Sequence, residues 1–179
     1  MEVAGSKARP RLVRTVVTVV ALTVGTAHVA AQDPSRPPAN TPNDRPPTIL
    51  FLCPHGAAKS VLASAYFRRA AKERGLNVRV ESAGTEPDPD IAPVVANHLK
   101  RNGYDVAAAT PRRATAADMA TEDVVVSIGC SLEHLPAPRG TLLRWEDVPA
   151  PSEDFAKADQ RIRERVLELV DELVKKQQR

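Results

Sequence analysis

The spacing of apolar positions divides the chain into three stretches. Thr15–Ala27 is a compact apolar run behind a charged Met1–Arg14. Asp33–Pro47 shows no period and carries six prolines in fifteen residues. From Thr48 onward, short solid apolar runs alternate with helical spacings. Thr48–Cys53 (TILFLC) is apolar at almost every position, the pattern of a strand buried on both faces. Ser60–Arg74 sets Val61, Leu62, Ala65, Tyr66 and Ala70 on one helical stripe and stops at Gly75. Leu76–Ser82 reads as a second strand, and Asp90–Arg101 repeats the helical period through Ile91, Val94, Val95 and Leu99 before Gly103. Asp123–Ile128 and Thr141–Trp145 read as strands three and four. Phe155, Ala158, Ile162, Val166, Leu169 and Leu173 mark a long terminal helix. No internal repeat is visible. This alternation predicts an α/β three-layer sandwich around a four-stranded parallel sheet with right-handed crossovers.

Composition narrows the picture. A chain of 179 residues, 42% hydrophobic and 26% charged, suits one domain with an appendage and excludes a disordered polyelectrolyte. Lys7, Arg9, Arg11 and Arg14 against Glu2 account for the whole formal net charge of +3. From Gln32 onward acidic and basic residues balance, so charge gives no ground for a nucleic-acid partner. Residues 1–31 have the layout of a secretory signal peptide, with Val29-Ala30-Ala31 as the small residues before a cut at Gln32. The apolar run is shorter than the ~20 residues of a membrane span. A membrane role would follow only if it stayed uncleaved. The expected organisation is a signal at 1–31, a Pro-rich disordered linker at 32–47 and a folded domain at 48–179, in a periplasmic or secreted protein. In an oxidising compartment the two cysteines, Cys53 and Cys130, read first as a structural disulfide.

A second reading comes from where Cys53 stands. In parallel sheets ligands sit beyond the carboxyl ends of the strands. The segment leaving the first strand is Cys53-Pro54-His55-Gly56-Ala57-Ala58-Lys59-Ser60, running into a helix. Small residues in such a turn let successive N–H groups point inward, and the helix terminus adds positive potential. The result is an oxyanion cradle formed by Pro54 to Ser60, with Cys53 at its mouth and Ser60 able to donate to its sulfur. A field that holds an anion also favours a thiolate nucleophile. Lys59-Ser60 superficially suggests a nucleotide loop, but the glycines that loop requires are Ala58 and Pro54 here. His98 reads as a residue at the edge of the core, His134 has no matching partner, and no His/Cys spacing suggests a metal site.

The motif CPHGAAKS followed by VLASAYF resembles the low-molecular-weight protein tyrosine phosphatases and the related thiol-dependent arsenate reductases, whose loop is Cys, five residues, Arg, Ser. Ser82-Ala83-Gly84-Thr85 is similar to the family's S-A-G-T. Val124–Cys130 resembles its third strand, which ends in a redox cysteine in the reductases. Trp145–Pro151 (WEDVPAP) resembles the stretch carrying the general acid. The resemblance implies catalysis by Cys53 with Ser60, a redox role for Cys130, and a small tetrahedral oxyanion (arsenate or phosphate) or a phosphorylated substrate. It implies no metal or organic cofactor.

Four positions depart from the family pattern. The loop Arg is Lys59, a flexible point charge instead of a bidentate fork. The loop Asn is Gly56. The general-acid position aligns with Ala150, leaving Asp147 as a candidate substitute. Ser131–Arg139 holds no further cysteine, so a reductase would depend on an external thiol such as a thioredoxin-like protein. The expected function is an exported cysteine-dependent oxyanion enzyme of reduced efficiency. The alternatives are a degraded member that binds oxyanions or phosphoproteins, and a structural descendant locked by a Cys53–Cys130 disulfide. N-terminal sequencing of protein from its native host is expected to read from near Gln32, and an intact Met1 terminus on cytosolic material would refute export.

Overall fold

The computed structural model describes residues 45–106 and 109–178. The signal reading and most of the linker reading lie outside the described residues. Eight elements follow in order: β1 (Thr48–Cys53), α1 (Lys59–Glu73), β2 (Arg79–Gly84), α2 (Pro93–Arg101), α3 (Ala116–Thr121), β3 (Val124–Ser127), β4 (Thr141–Arg144) and α4 (Phe155–Gln177). The four strands form one parallel sheet in the order β2-β1-β3-β4. Cys53 pairs with Gly84 and Leu52 with Ser127, so the loops leaving β1, β2 and β3 emerge along one edge. Among the described residues no helix is long and apolar enough to cross a membrane.

Every residue of β1 is buried, and its alternate side chains supply two cores. Ile49, Phe51 and Cys53 pack with the apolar faces of α1, α2 and α4. Phe51 lies 5.7 Å, centroid to centroid, from both Phe67 and Trp145. Leu50 and Leu52 face the other way, against Ala83, Ala114, Met119, Val125 and Cys130. The first layer contains three helices. The second contains only the six-residue α3 and the chain after β3. Between the helices of the first layer, Tyr66 donates to Asp159 while His98 lies 3.1 Å from the Tyr66 hydroxyl and 3.2 Å from Asp159. His98 is thus a partly buried residue in a polar seam.

Some boundaries differ from the sequence reading. Leu76 lies in the turn just past α1, where its N–H donates back to Ala71 O at 2.9 Å, and β2 begins at Arg79 and extends to Gly84. Helix α2 starts at Pro93 and not at Asp90, because the Ala92 N–H is taken by Ala57 O at 3.0 Å. Val94 is 49% exposed, and Val95 and Leu99 carry the packing. Helix α3 was not expected. Its only buried residue is Met119, and a capping box between Thr115 and Asp118 holds its start.

At the amino edge of the sheet, Asp123 joins β1 to β3. It accepts from the Thr48 N–H at 2.9 Å, the Thr48 hydroxyl at 3.2 Å and Arg45 at 2.7 Å. Burial pushes this carboxyl up, but these donors together outweigh burial and hold it below its ordinary value of 3.8. A depressed carboxylate contributes stability above its unfolded pKa and loses it as pH falls through the folded one. Thermal unfolding measured against pH is therefore expected to separate the parent protein from Asp123→Asn at neutral pH, with the gap closing in acid.

Candidate active site

The loop between β1 and α1 is shaped by what grips its outer side. After β2 the chain turns along it. The N–H groups of Thr85, Glu86, Asp88 and Ala92 donate to the carbonyls of Cys53, Pro54, His55 and Ala57 at 3.3, 2.8, 3.0 and 3.0 Å. A trans peptide directs its N–H opposite to its carbonyl. With these carbonyls held outward, the N–H groups of His55, Gly56 and Ala58 turn inward, and they donate to no other backbone group among the described residues. Helix α1 begins just beyond, and its N-cap, Ala58, supplies no side-chain hydrogen bond. The loop interior therefore presents unused donors and the positive end of a fifteen-residue helix. Such an interior suits a negatively charged group.

Two glycines make the grip possible. Gly56 has a φ of +60°, in the left-handed region. A Cβ on Gly84 would lie 2.6 Å from Gly56 N, 2.8 Å from His55 C and 2.9 Å from Pro54 O. All three are backbone atoms, so the loop itself would have to move.

Cys53 is 2% exposed, and its Sγ lies 3.1 Å from the Oγ of the fully buried Ser60. Cys130 emerges from β3 at the same edge, its Sγ 3.3 Å from the Oγ of the buried Ser127. Both cysteines are free thiols, and they belong to cores on opposite faces of the sheet. Burial pushes the Cys130 thiol up, as does the charge of Cys53. The Ser127 hydrogen bond, the Ile128 N–H and the charge of Lys59 oppose the rise without cancelling it. Cys130 lines a cleft of about 430 Å³ that also touches Pro54, Thr85, Glu86 and Arg113. A larger cavity of about 590 Å³ between α1 and the chain after α2 contains neither thiol, so chemistry and not size locates the site.

The other candidates are placed differently. His55 points outward, its Nδ1 3.3 Å from Asp88. Pro54, Gly56, Ala57 and Ala58 contribute backbone. Lys59 reaches across to Gly129. Asp147 turns to α4, accepting from Arg161 Nε at 2.6 Å and Arg165 at 2.9 Å. Burial raises its carboxyl, but the two arginines outweigh burial and hold it below 3.8. A group kept ionised in this way has no proton to give near neutrality. Ala150 accepts from the N–H groups of Glu153 and Asp154 at 3.0 and 3.1 Å and offers no acid. Sequence reasoning missed the Thr85–Ala92 strap, whose only visible signal was the S-A-G-T motif, and it missed Ser127. Among the described residues, no group of three or more His, Cys, Asp or Glu could hold a metal ion.

Residues 48–135 match the family described as low molecular weight phosphotyrosine protein phosphatase. The thioredoxin-dependent arsenate reductase of Corynebacterium glutamicum is 30% identical with a TM-score of 0.58, the match covering 75% of this chain and 63% of that one. The chain thus spans under two thirds of that relative's length. A Halobacterium salinarum protein, provisionally named an arsenate reductase, is 28% identical over 127 residues, 68% of this chain and 89% of its own. The low molecular weight phosphotyrosine phosphatase of Vibrio cholerae shares the fold, with 24% identity and a TM-score of 0.62 over 70% of this chain and 95% of its own.

Gly84→Ala is expected to displace the loop and lower stability by about 1–3 kcal/mol. Arsenate or phosphate is expected to raise the melting temperature of the parent protein, and Gly84→Ala to abolish that rise. Melting curves with and without the anion check both effects.

Proposed function

We infer that the chain is a member of the low molecular weight phosphotyrosine protein phosphatase family, whose model matches residues 48–135, and that it stands with the thiol-dependent arsenate reductases it resembles. From that premise we propose that it is an exported, thiol-dependent arsenate reductase of reduced efficiency. The observation that carries this reading is a pair of free thiols at one sheet edge. Cys53 opens the loop with Ser60 Oγ 3.1 Å from its sulfur, and Cys130 follows β3 at the same edge. Hydrolysis of a phosphate ester needs one thiol. Reduction of an oxyanion needs two electrons, which two thiols supply.

In this scheme the inward N–H groups hold arsenate, and Cys53 attacks arsenic. One arsenate oxygen leaves as water, taking two protons. Cys130 then attacks the Cys53 sulfur, the sulfur–arsenic bond breaks, and its electron pair stays on arsenic, which departs as arsenite. The protein is left with a Cys53–Cys130 disulfide. No cysteine lies in Ser131–Arg139 to accept it, so an external dithiol, thioredoxin-like in kind, closes the cycle. The absent acid at Ala150 weighs more against a phosphatase. Arsenate is itself partly protonated at neutral pH and supplies protons to its leaving oxygen, whereas an alkoxide or phenoxide depends on a donor.

The test is turnover of arsenate and of an aryl phosphate by the reduced full chain, with Cys53→Ser as the blank. Arsenate reduction dependent on an added dithiol is expected, with Cys130→Ser stopping after one turnover or less. Lys59→Arg with Ala150→Asp should raise aryl phosphate hydrolysis more than either change alone. Each change is worth about 1–3 kcal/mol in the transition state, and groups acting as one unit are non-additive. Arsenate turnover no faster than the blank would make the protein an oxyanion binder.

A further inference from the structure

Lys59 stands where the family has an arginine that forks onto the oxyanion, yet its ammonium is placed for another purpose. The side chain crosses from the start of α1 to the turn after β3. There, a Cβ on Gly129 would lie 2.8 Å from Lys59 Nζ. Gly129 has a φ of +61° and no side chain, so the turn leaves a hollow that the ammonium fills. The next residue is Cys130. Its sulfur is buried, 3.3 Å from the Ser127 hydroxyl, which also donates to the Cys130 carbonyl at 3.0 Å. Each thiol thus has its own buried serine, and the Lys59 ammonium lies against Gly129, the residue before the second thiol.

We propose that Lys59 is a positioning residue for Cys130: its ammonium, seated in the Gly129 hollow, stabilises the Cys130 thiolate that attacks Cys53. The inference rests on the reductase reading. A buried sulfur resists ionisation, and the charge of Cys53 adds to that resistance, whereas Lys59 opposes both. The other ionisable groups of the cleft are Glu86, Arg113 and His134. Arg113 is committed to Thr85 O at 2.6 Å, and the packed side chain from α3 is the uncharged Met119. A compact ammonium on a flexible stem fits a hollow of this size, which the broad guanidinium fork suits less well. The Lys-for-Arg replacement then changes the emphasis of the site, from clamping the oxyanion to readying the electron donor.

The step balances. The Cys130 proton passes to solvent in the cleft, and the thiolate pair forms the sulfur–sulfur bond with arsenylated Cys53. The pair of the broken Cys53–arsenic bond remains on arsenic. Arsenic gains two electrons and the two sulfurs lose them. An external dithiol afterwards returns the disulfide to two thiols.

The test uses the full chain carrying Cys53→Ser, in which Cys130 is the only thiol. Its ionisation is followed by thiolate ultraviolet absorbance and by the pH profile of iodoacetamide alkylation. Adding Lys59→Met is expected to move the profile to higher pH and slow alkylation at neutral pH about tenfold. Lys59→Arg, which keeps the charge but fits the hollow less well, should fall between the parent and Lys59→Met. Gly129→Ala, which expels the ammonium without removing it, should act in the same direction as Lys59→Met. An unmoved profile in Lys59→Met, with unchanged thermal unfolding, overturns the proposal. Arsenate turnover is measured separately in proteins that retain Cys53. A shifted profile without turnover refutes the reductase reading alone, and turnover without a shift refutes the role of Lys59 alone.

Discussion

The structure depends on one close approach, the backbone of the Cys53–Ser60 loop against the backbone that leaves β2. Gly56 and Gly84 touch with no room for a Cβ between them. Four carbonyls of the loop are taken up by four N–H groups of the facing strap. A pocket lined by N–H groups follows from that arrangement, since a peptide that gives its carbonyl to one side must turn its N–H to the other. No charged side chain is needed to build it. The uncapped start of α1 serves the same end, because its free donors and dipole face the same space.

The two faces of the sheet divide the chemistry. Cys53 belongs to the thick layer with α1, α2 and α4, where packing buries its sulfur beside the Ser60 hydroxyl. Cys130 belongs to the thin layer, covered by one short helix and the chain after β3, beside a cleft open to solvent. A nucleophile benefits from rigidity. A thiol that must exchange with an outside reductant benefits from a light cover. Lys59 crosses between them, leaving α1 on one side and ending at Gly129 beside Cys130.

The loop after β4 is held by packing on one side and by charge on the other. Trp145 and Val148 remain buried and anchor it. Asp147 is bound by Arg161 and Arg165 and acts as a brace between this loop and α4. Its carboxylate is held charged, and Ala150 presents only backbone. What remains is a loop that closes the fold and gives no proton, beside a site with two thiols.

Much of this was legible in the sequence. TILFLC and DVVVSI announced buried parallel strands because a strand covered on both faces is apolar throughout. CPHGAAKS marked a turn of small residues between a strand and a helix, which is where the structure places it. Local pattern failed where the deciding contact was distant. Helix α3 has one buried residue and hence no period to read. Helix α2 starts late because Ala57, in a loop 35 positions earlier, takes the Ala92 N–H. Asp147 looked available as an acid because the arginines that claim it lie one helix away. The sequence by itself determined the order of the four strands and of helices α1, α2 and α4, and the place of the Cys53 loop between the first strand and helix, since these follow from local periodicity and short-range spacing. Only the tertiary structure decided which carbonyls face outward, where the Lys59 charge ends and which carboxylate is already paired, because each of these is settled by atoms far apart in the chain that meet only at the sheet edge.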